Sequence, residues 1–283
     1  MRARFYTIPF NHQATKLSAF LEQSLSEIAI AFGHSFIIKN IGLDDAPTLL
    51  REESALVLLL GDEKELDEAA QTLQMFAAEC FISHSDRDVS LLKTDELFQG
   101  SVLSPLNAMQ ATLAALKGYL QASQKTLSSE ASLITCEDGC VSTMLQMLQH
   151  PSKMGRLISD YHAGQIIQKT ALLLSGSACY RFKTLLGNHG TVFAVTVPNA
   201  PNDPQSVSPF GMYYAVAHAL QKELKLEQEA NCLLSAVNNV LNATWRTRDC
   251  LTSDEQKLAT TEQIGTLINE QISLVGELIN HMS

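Results

Sequence analysis

Ala55-Leu-Val-Leu-Leu-Leu60, closed by Gly61, is a six-residue apolar run. It falls far short of the ~18 residues that a membrane span needs, and its length and glycine stop fit a buried strand. Upstream, Leu17, Phe20, Leu21, Leu25, Ile28 and Ala29 recur at helical spacing, Gly33 stops that helix, and Ser35-Phe-Ile-Ile-Lys39 follows as a strand. Downstream, the pattern predicts a helix from Glu63 to Glu79 and a short strand Cys80-Phe-Ile-Ser83. Helix and strand signals alternate, which is the pattern of an α/β fold.

The stretch from His84 to Gly100 is charged and irregular. An amphipathic helix is predicted after it, with Ser104 as N-cap, Pro105 in the first turn, and Leu106, Met109, Leu113, Leu116 and Leu120 along one face. A strand Ala131–Thr135, a helix from about Val141 to Gln149, a strand Arg156–Ser159 and a helix Ala163–Leu174 follow. Val195 to Pro209 holds four of the eight prolines and reads as an irregular loop. Helices are expected from about Gly211 to Leu224, Gln228 to Thr244 and Thr261 to His281. No internal repeat is visible.

The chain has 283 residues, 46% of them hydrophobic, with 20 Lys+Arg against 30 Asp+Glu and a formal charge of -10. This is globular composition with ample core for folding without disulfides. An acidic chain without a basic stripe argues against nucleic acid as a partner. The N-terminal Arg2 and Arg4 are followed by Asn11, His12 and Gln13 where a leader would carry apolar residues, so a cytoplasmic location without membrane insertion is expected. Cys80, Cys136, Cys140, Cys179, Cys232 and Cys250 are scattered and read as thiols, since Cys136-x3-Cys140 alone is a weak zinc signal. Phosphate-binding, nucleophile-elbow and zincin motifs are missing from the sequence.

Several segments resemble the β-decarboxylating dehydrogenases, the isopropylmalate and isocitrate dehydrogenase family. Gly211-Met-Tyr-Tyr-Ala-Val-Ala-His-Ala-Leu220, Leu226-x3-Ala230, Ala236-Val-Asn-Asn-Val-Leu241, Arg246-Thr-Arg-Asp249 and Ala259-Thr-Thr-Glu-Gln-Ile-Gly265 fall in that family's order and near its spacing. Met147-Leu-Gln-His-Pro151, Arg156-Leu-Ile-Ser-Asp-Tyr-His-Ala-Gly-Gln165 and Leu174-Ser-Gly-Ser177 resemble its middle segments, and Ala55–Gly61 resembles a buried strand of its first domain. The resemblance implies an isopropylmalate dehydrogenase-like two-domain fold. One domain would take residues 1–95 and 190–283, and the other, with the dimerisation helices, residues 96–189.

That family oxidises a 2-hydroxy acid with NAD or NADP and decarboxylates the product with a divalent metal. The resemblance departs at the positions this chemistry uses. Gln165 and Lys169 stand where the metal-binding helix carries Asp-x3-Asp, and an ammonium cannot ligate Mg²⁺ or Mn²⁺. Gln99-Gly-Ser101 stands at the catalytic Lys-x-Asn pair. About 15 residues separate Ser83 from Gln99, too few for the substrate arginines, the Tyr and the dimer arm on ordinary loop lengths. Arg87, between Asp86 and Asp88, reads as a solvated charge. Val197-Pro-Asn-Ala-Pro-Asn202 stands at the adenine-binding loop with Val197 in place of its His. Ser208 replaces an Asn, and Phe10-Asn-His-Gln-Ala14 has none of the glycines of the family's N-terminal turn. Asp249 alone keeps a cofactor-binding position.

The expectation is therefore a shortened dehydrogenase-like protein without the dimer arm, with no catalytic or metal-binding residues and no cofactor. It would serve as a structural or interaction subunit among other protein subunits. Multi-protein machinery such as a secretion apparatus is a conceivable setting that no residue singles out. A homodimer would form through helices carrying Leu106, Met109, Leu113 and Leu116 and Ile166, Ile167 and Leu173, the second of which has more apolar content than one buried face needs; the alternative is that both helices are simple core. Two alternatives stay open: an active enzyme on a rebuilt site using Lys169 or His162, and a small-molecule sensor that keeps a cleft without chemistry. Lys169 reads equally as a salt-bridging replacement for the ion or as a residue with no role. His162 reads as a general base or a cap-region hydrogen bonder.

Overall fold

The computed structural model describes residues 1–51, 55–81, 96–97, 132–134, 142, 157–159, 182–187, 190–199, 207–251 and 253–282. These contain β1 (Arg2–Pro9), α1 (His12–Phe32), β2 (Ser35–Asn40), the short α2 (Ala46–Leu49), β3 (Ala55–Gly61), α3 (Glu63–Thr72), β4 (Met75–Phe81) and β5 (Glu96–Leu97). After them come β6 (Ser132–Ile134), β7 (Leu157–Ser159), β8 (Phe182–Gly187), β9 (Gly190–Thr196), α4 (Phe210–Lys222), α5 (Glu227–Asn242), β10 (Trp245–Arg246), β11 (Lys257–Leu258) and α6 (Thr261–Met282). Two compact units form, one from residues 1–69, 179–182 and 189–283, the other from 70–178 and 183–188. Residues 70–81, expected in the first domain, cluster with the second unit.

The strands of the first unit are parallel, in the order β2-β1-β3-β9. Leu56, Val57, Leu58, Leu59 and Leu60 of β3 are all buried, as a strand flanked by parallel neighbours and covered on both faces requires. α1 follows β1 because Asn11 caps it, its Oδ1 accepting from the Ala14 amide at 2.9 Å. The same helix ends at Gly33, whose φ of 66° is the left-handed cap that glycine adopts without strain. Leu17, Leu21, Leu25 and Ile28 form its buried stripe. In the second unit the order is β8-β4-β5-β7-β6, with β5 antiparallel to β4 and parallel to β7, and β6 parallel to β7.

Four readings of the sequence need correction. α3 ends at Thr72 rather than Glu79, because Gln74 takes a positive φ of 54° and the chain leaves as β4. β1 has Phe5, Tyr6, Thr7 and Ile8 buried in succession, a strand hidden behind its two arginines. Neither β8 nor β9 was anticipated, and Val195 and Thr196 belong to β9 rather than to the proline-rich loop. The thiol reading holds for Cys232, a buried free cysteine, but Cys250 is disulfide-bonded to a cysteine whose side chain lies outside the described residues. Spacing along the chain carries no information about such proximity. The remaining helices lie close to expectation: Phe210–Lys222, Glu227–Asn242 and Thr261–Met282. The predicted helices near Ser104, Val141 and Ala163 lie outside the described residues.

α6 packs on α1 and α5, and α4 packs on α5 and β9. Gly265 permits the first contact, because a Cβ there would stand 2.9 Å from Phe20 Cδ1 and 3.1 Å from Cγ. Below it, Ser24 Oγ meets the Tyr213 hydroxyl at 3.1 Å and donates to Asn269 Oδ1, tying α1, α4 and α6 through a buried polar knot. A second long-range tie joins His34 Nε2 to Glu229 Oε1 at 2.5 Å, both side chains nearly buried. Among the described residues no helix is long and apolar enough to cross a membrane.

Gly265→Ala is expected to destabilise the fold. Overpacking against Phe20 costs about 1–3 kcal/mol, against about 1 kcal/mol gained in helix propensity. Urea unfolding of this variant, and of Gly265→Ala with Phe20→Leu to restore the space, measures it.

A pH effect follows from the buried knot. Burial pushes the Tyr213 hydroxyl up to about 12 from 10.0, partly offset by its bond to Ser24. Above pH 10 the unfolded chain loses this proton while the native state keeps it, so stability falls as pH rises from about 10 to about 12. The loss amounts to about 3 kcal/mol. Tyr213→Phe should remove that portion of the alkaline slope in chemical denaturation. It should leave the portion from Cys232, which burial and then the nearby Glu229 push up to about 11.

Candidate functional site

In a parallel α/β sheet the carboxyl ends of the strands point to one edge, and ligands bind in the crevices there. In the first unit this edge is formed by Pro9, Gly61 and Thr196, the last residues of β1, β3 and β9. It is tightly tied into itself. The Phe10 amide donates to Leu60 O at 2.9 Å, and the Val197 amide to Gly61 O at 2.7 Å. Gly61 allows the close fit, since a Cβ there would lie 2.8 Å from Phe10 Cδ2 and 2.9 Å from Glu65 Oε2. Val197 is 0% exposed.

Asn11 connects all three strand ends. Besides capping α1, its Nδ2 donates to Glu65 Oε2 at 3.1 Å and, more weakly, to Val197 O at 3.4 Å. Glu65 belongs to a capping box. Its Oε2 accepts from the Asp62 amide at 2.8 Å, and its own amide donates to Asp62 Oδ1 at 2.9 Å. Both acidic side chains at this edge are thereby engaged in starting α3. The sequence carries signals for both caps, an Asn before a periodic helix and Asp62-x-x-Glu65, but nothing that joins them.

Asp249 points its Oδ2 at the Ser208 amide, 3.0 Å away. Ser208 Oγ accepts from the Phe210 amide at 3.3 Å, and Thr261 Oγ1 donates to Val207 O at 2.7 Å, so the entry to α4 is held from two sides. Arg246, 2% exposed, donates through Nη1 to Leu241 O and Trp245 O at 2.9 and 2.8 Å, closing the C-terminus of α5. The Arg246-Thr-Arg-Asp249 segment thus has a bracing task within the first unit. His12, beside Asn11, is exposed. Gln99, Lys169, Gln165 and His162 lie outside the described residues, as do Leu106, Met109, Leu113, Leu116, Ile166, Ile167 and Leu173. Among the described residues no three His, Cys, Asp or Glu side chains gather as metal ligands.

This geometry has known counterparts. The crystal structure of isocitrate dehydrogenase from Methylococcus capsulatus superposes with a TM-score of 0.68, covering 96% of this chain and 99% of that one at 13% identity. In sequence, the 3-isopropylmalate dehydrogenase of Pelagibacter ubique (strain HTCC1062) is 27% identical over 141 residues. The chain is similar over that stretch to 3-isopropylmalate dehydrogenase in sequence and over most of its length to isocitrate dehydrogenase in fold. Its fold is theirs, a mixed α/β architecture with parallel strands. The sequence match takes in 47% of this chain and 38% of the Pelagibacter protein. No family model matches.

Asn11→Asp tests the edge tie. The carboxylate keeps the cap to Ala14 and gains up to about 1 kcal/mol from the helix N-terminus. It also faces Glu65 Oε2 and Val197 O without a proton to give, which costs about 1–3 kcal/mol. Urea unfolding at pH 7 should show net destabilisation, shrinking toward pH 4 as the new carboxyl protonates.

Proposed function

We propose that this chain is a catalytically silent protein of the dehydrogenase fold, serving as a structural or protein-interaction subunit. One observation carries the reading. Val197, at the position that the resemblance gives to the adenine loop's His, is fully buried, with its amide on Gly61 and its carbonyl facing Asn11. A side chain in that state has no surface to offer a nucleotide base, so a dinucleotide does not fit this edge as the dehydrogenases would hold it. The metal fits no better on donor chemistry. The resemblance puts Gln165 and Lys169 at the metal positions, and an amide with an ammonium is a poor donor set for a hard divalent cation. Asp249, the one retained cofactor position, is occupied with Ser208.

In this reading the chain's partners are other protein subunits and a second copy of itself. The homodimer would form through the apolar helices of Leu106–Leu116 and Ile166–Leu173. The active-enzyme alternative needs Lys169 or His162 to work in a rebuilt cleft, and no described geometry favours it over the silent reading.

Thermal unfolding of the full chain with NAD, NADP, Mg²⁺ and Mn²⁺ tests the proposal. A ligand at 100 times its Kd stabilises the native state by about 2.7 kcal/mol. No shift is expected with any of the four, and a clear upward shift with a dinucleotide would overturn the reading.

A further inference from the structure

β2 ends the sheet on one side. Among the described residues its strand neighbour is β1 alone, and that pairing is parallel. Its middle, Phe36-Ile-Ile38, is half-buried, between exposed Ser35 and exposed Lys39 and Asn40. The Ser35 amide donates to Met1 O and the Ile41 amide to Thr7 O. In register with those bonds, Ser35, Ile37 and Lys39 turn their backbone groups to β1, and Phe36 and Ile38 turn theirs outward. An open edge of this kind is a template for another strand, which proteins commonly block with a charge, a proline or a bulge. Phe36-Ile-Ile38 carries none of the three.

The register says which strand fits. Opposed residues of an antiparallel pair share a face of the sheet, so a two-fold axis between identical strands must set one residue against its own copy. With Ile37 at the centre, Phe36 meets Ile38 of the second copy and Ile38 meets its Phe36. The outward amides and carbonyls then satisfy each other, and the apolar side chains stay together. Lys39 falls opposite Ser35 and never opposite another cation. A centre at Ile38 would instead set Asn40 against Phe36 and Lys39 against Ile37, losing these matches. The two ends of the strand are complementary as well. Exposed Arg2, in register with Ser35, flanks the amino end of β2, and exposed Asp44 and Asp45 follow its carboxyl end. Antiparallel pairing brings the basic end of one copy beside the acidic end of the other.

We propose that the open edge of β2 is an interaction surface for a second copy of this chain, the two β2 strands pairing antiparallel about Ile37. This surface is separate from the helices of Leu106–Leu116 and Ile166–Leu173, and it does not depend on the chain being catalytically silent.

The experiment is sedimentation velocity of the full chain at about 1–100 μM. The wild type should associate. Ile37→Lys and Ile37→Glu each set like charges against one another at the centre, and each should fall to half the wild-type mass or less. An equimolar mixture of these two variants should regain the wild-type mass, because opposite charges then meet. Ser35 is exposed, so its substitutions test the same register without touching the core. Ser35→Glu, facing Lys39, should tighten association by roughly 2–30-fold, and Ser35→Lys should weaken it by a similar factor. If the Ile37 variants do not fold, the two Ser35 variants decide the matter. A monomeric wild type, Ile37 variants that stay apart on mixing, or an assembly indifferent to both positions would overturn the proposal. The last result would assign association to another face of the molecule.

Discussion

The first unit depends on covering both faces of β3. Five consecutive apolar side chains, Leu56 to Leu60, leave no face for water, so the strand must lie inside a sheet with cover on either side. Parallel neighbours on both edges, β1 and β9, meet its backbone donors and acceptors. Parallel pairing in turn brings the carboxyl ends of the three strands to one edge, where such folds keep their ligand sites. The most apolar strand thus decides where a ligand site would be, without contributing a chemical group to it.

What stands at that edge is a set of internal hydrogen bonds. Among the described residues, Asn11 meets Ala14, Glu65 and Val197, the Val197 amide meets Gly61, and Asp249 meets Ser208. Buried or half-buried polar groups are costly when unpaired. Pairing them with one another therefore stabilises the strand ends.

Much of this architecture was legible in the sequence, and the misses have physical causes. β3 and α1 announce themselves, the one by an unbroken apolar run and the other by its stripe between Asn11 and Gly33. α3 was read seven residues too long because its break is made by Gln74, a residue without the conformational licence of glycine. β8 escaped because Lys183 and Thr184 interrupt its apolar pattern, and those same two residues are its buried polar anomalies. Val195 and Thr196 were assigned to a loop because nearby prolines outweighed their β-branched side chains. At the edge, Asn11 and Glu65 are each visible as caps. Their meeting across 54 residues of chain depends on the order of strands in the sheet, which local patterning does not encode.

The packing of α6 on α1 bears on how the protein is made. The first unit is assembled from residues 1–69 and from stretches that begin more than a hundred residues later, and the apolar stripe of α1 is completed by side chains beyond Thr261. During synthesis at about 5–20 residues per second, α1 waits many seconds on the ribosome with part of its buried face uncovered. The second unit, emerging in between, can settle before the first is closed. Chaperone engagement should therefore fall in the interval between the emergence of α1 and that of α6, and should end once the last helix is free to dock.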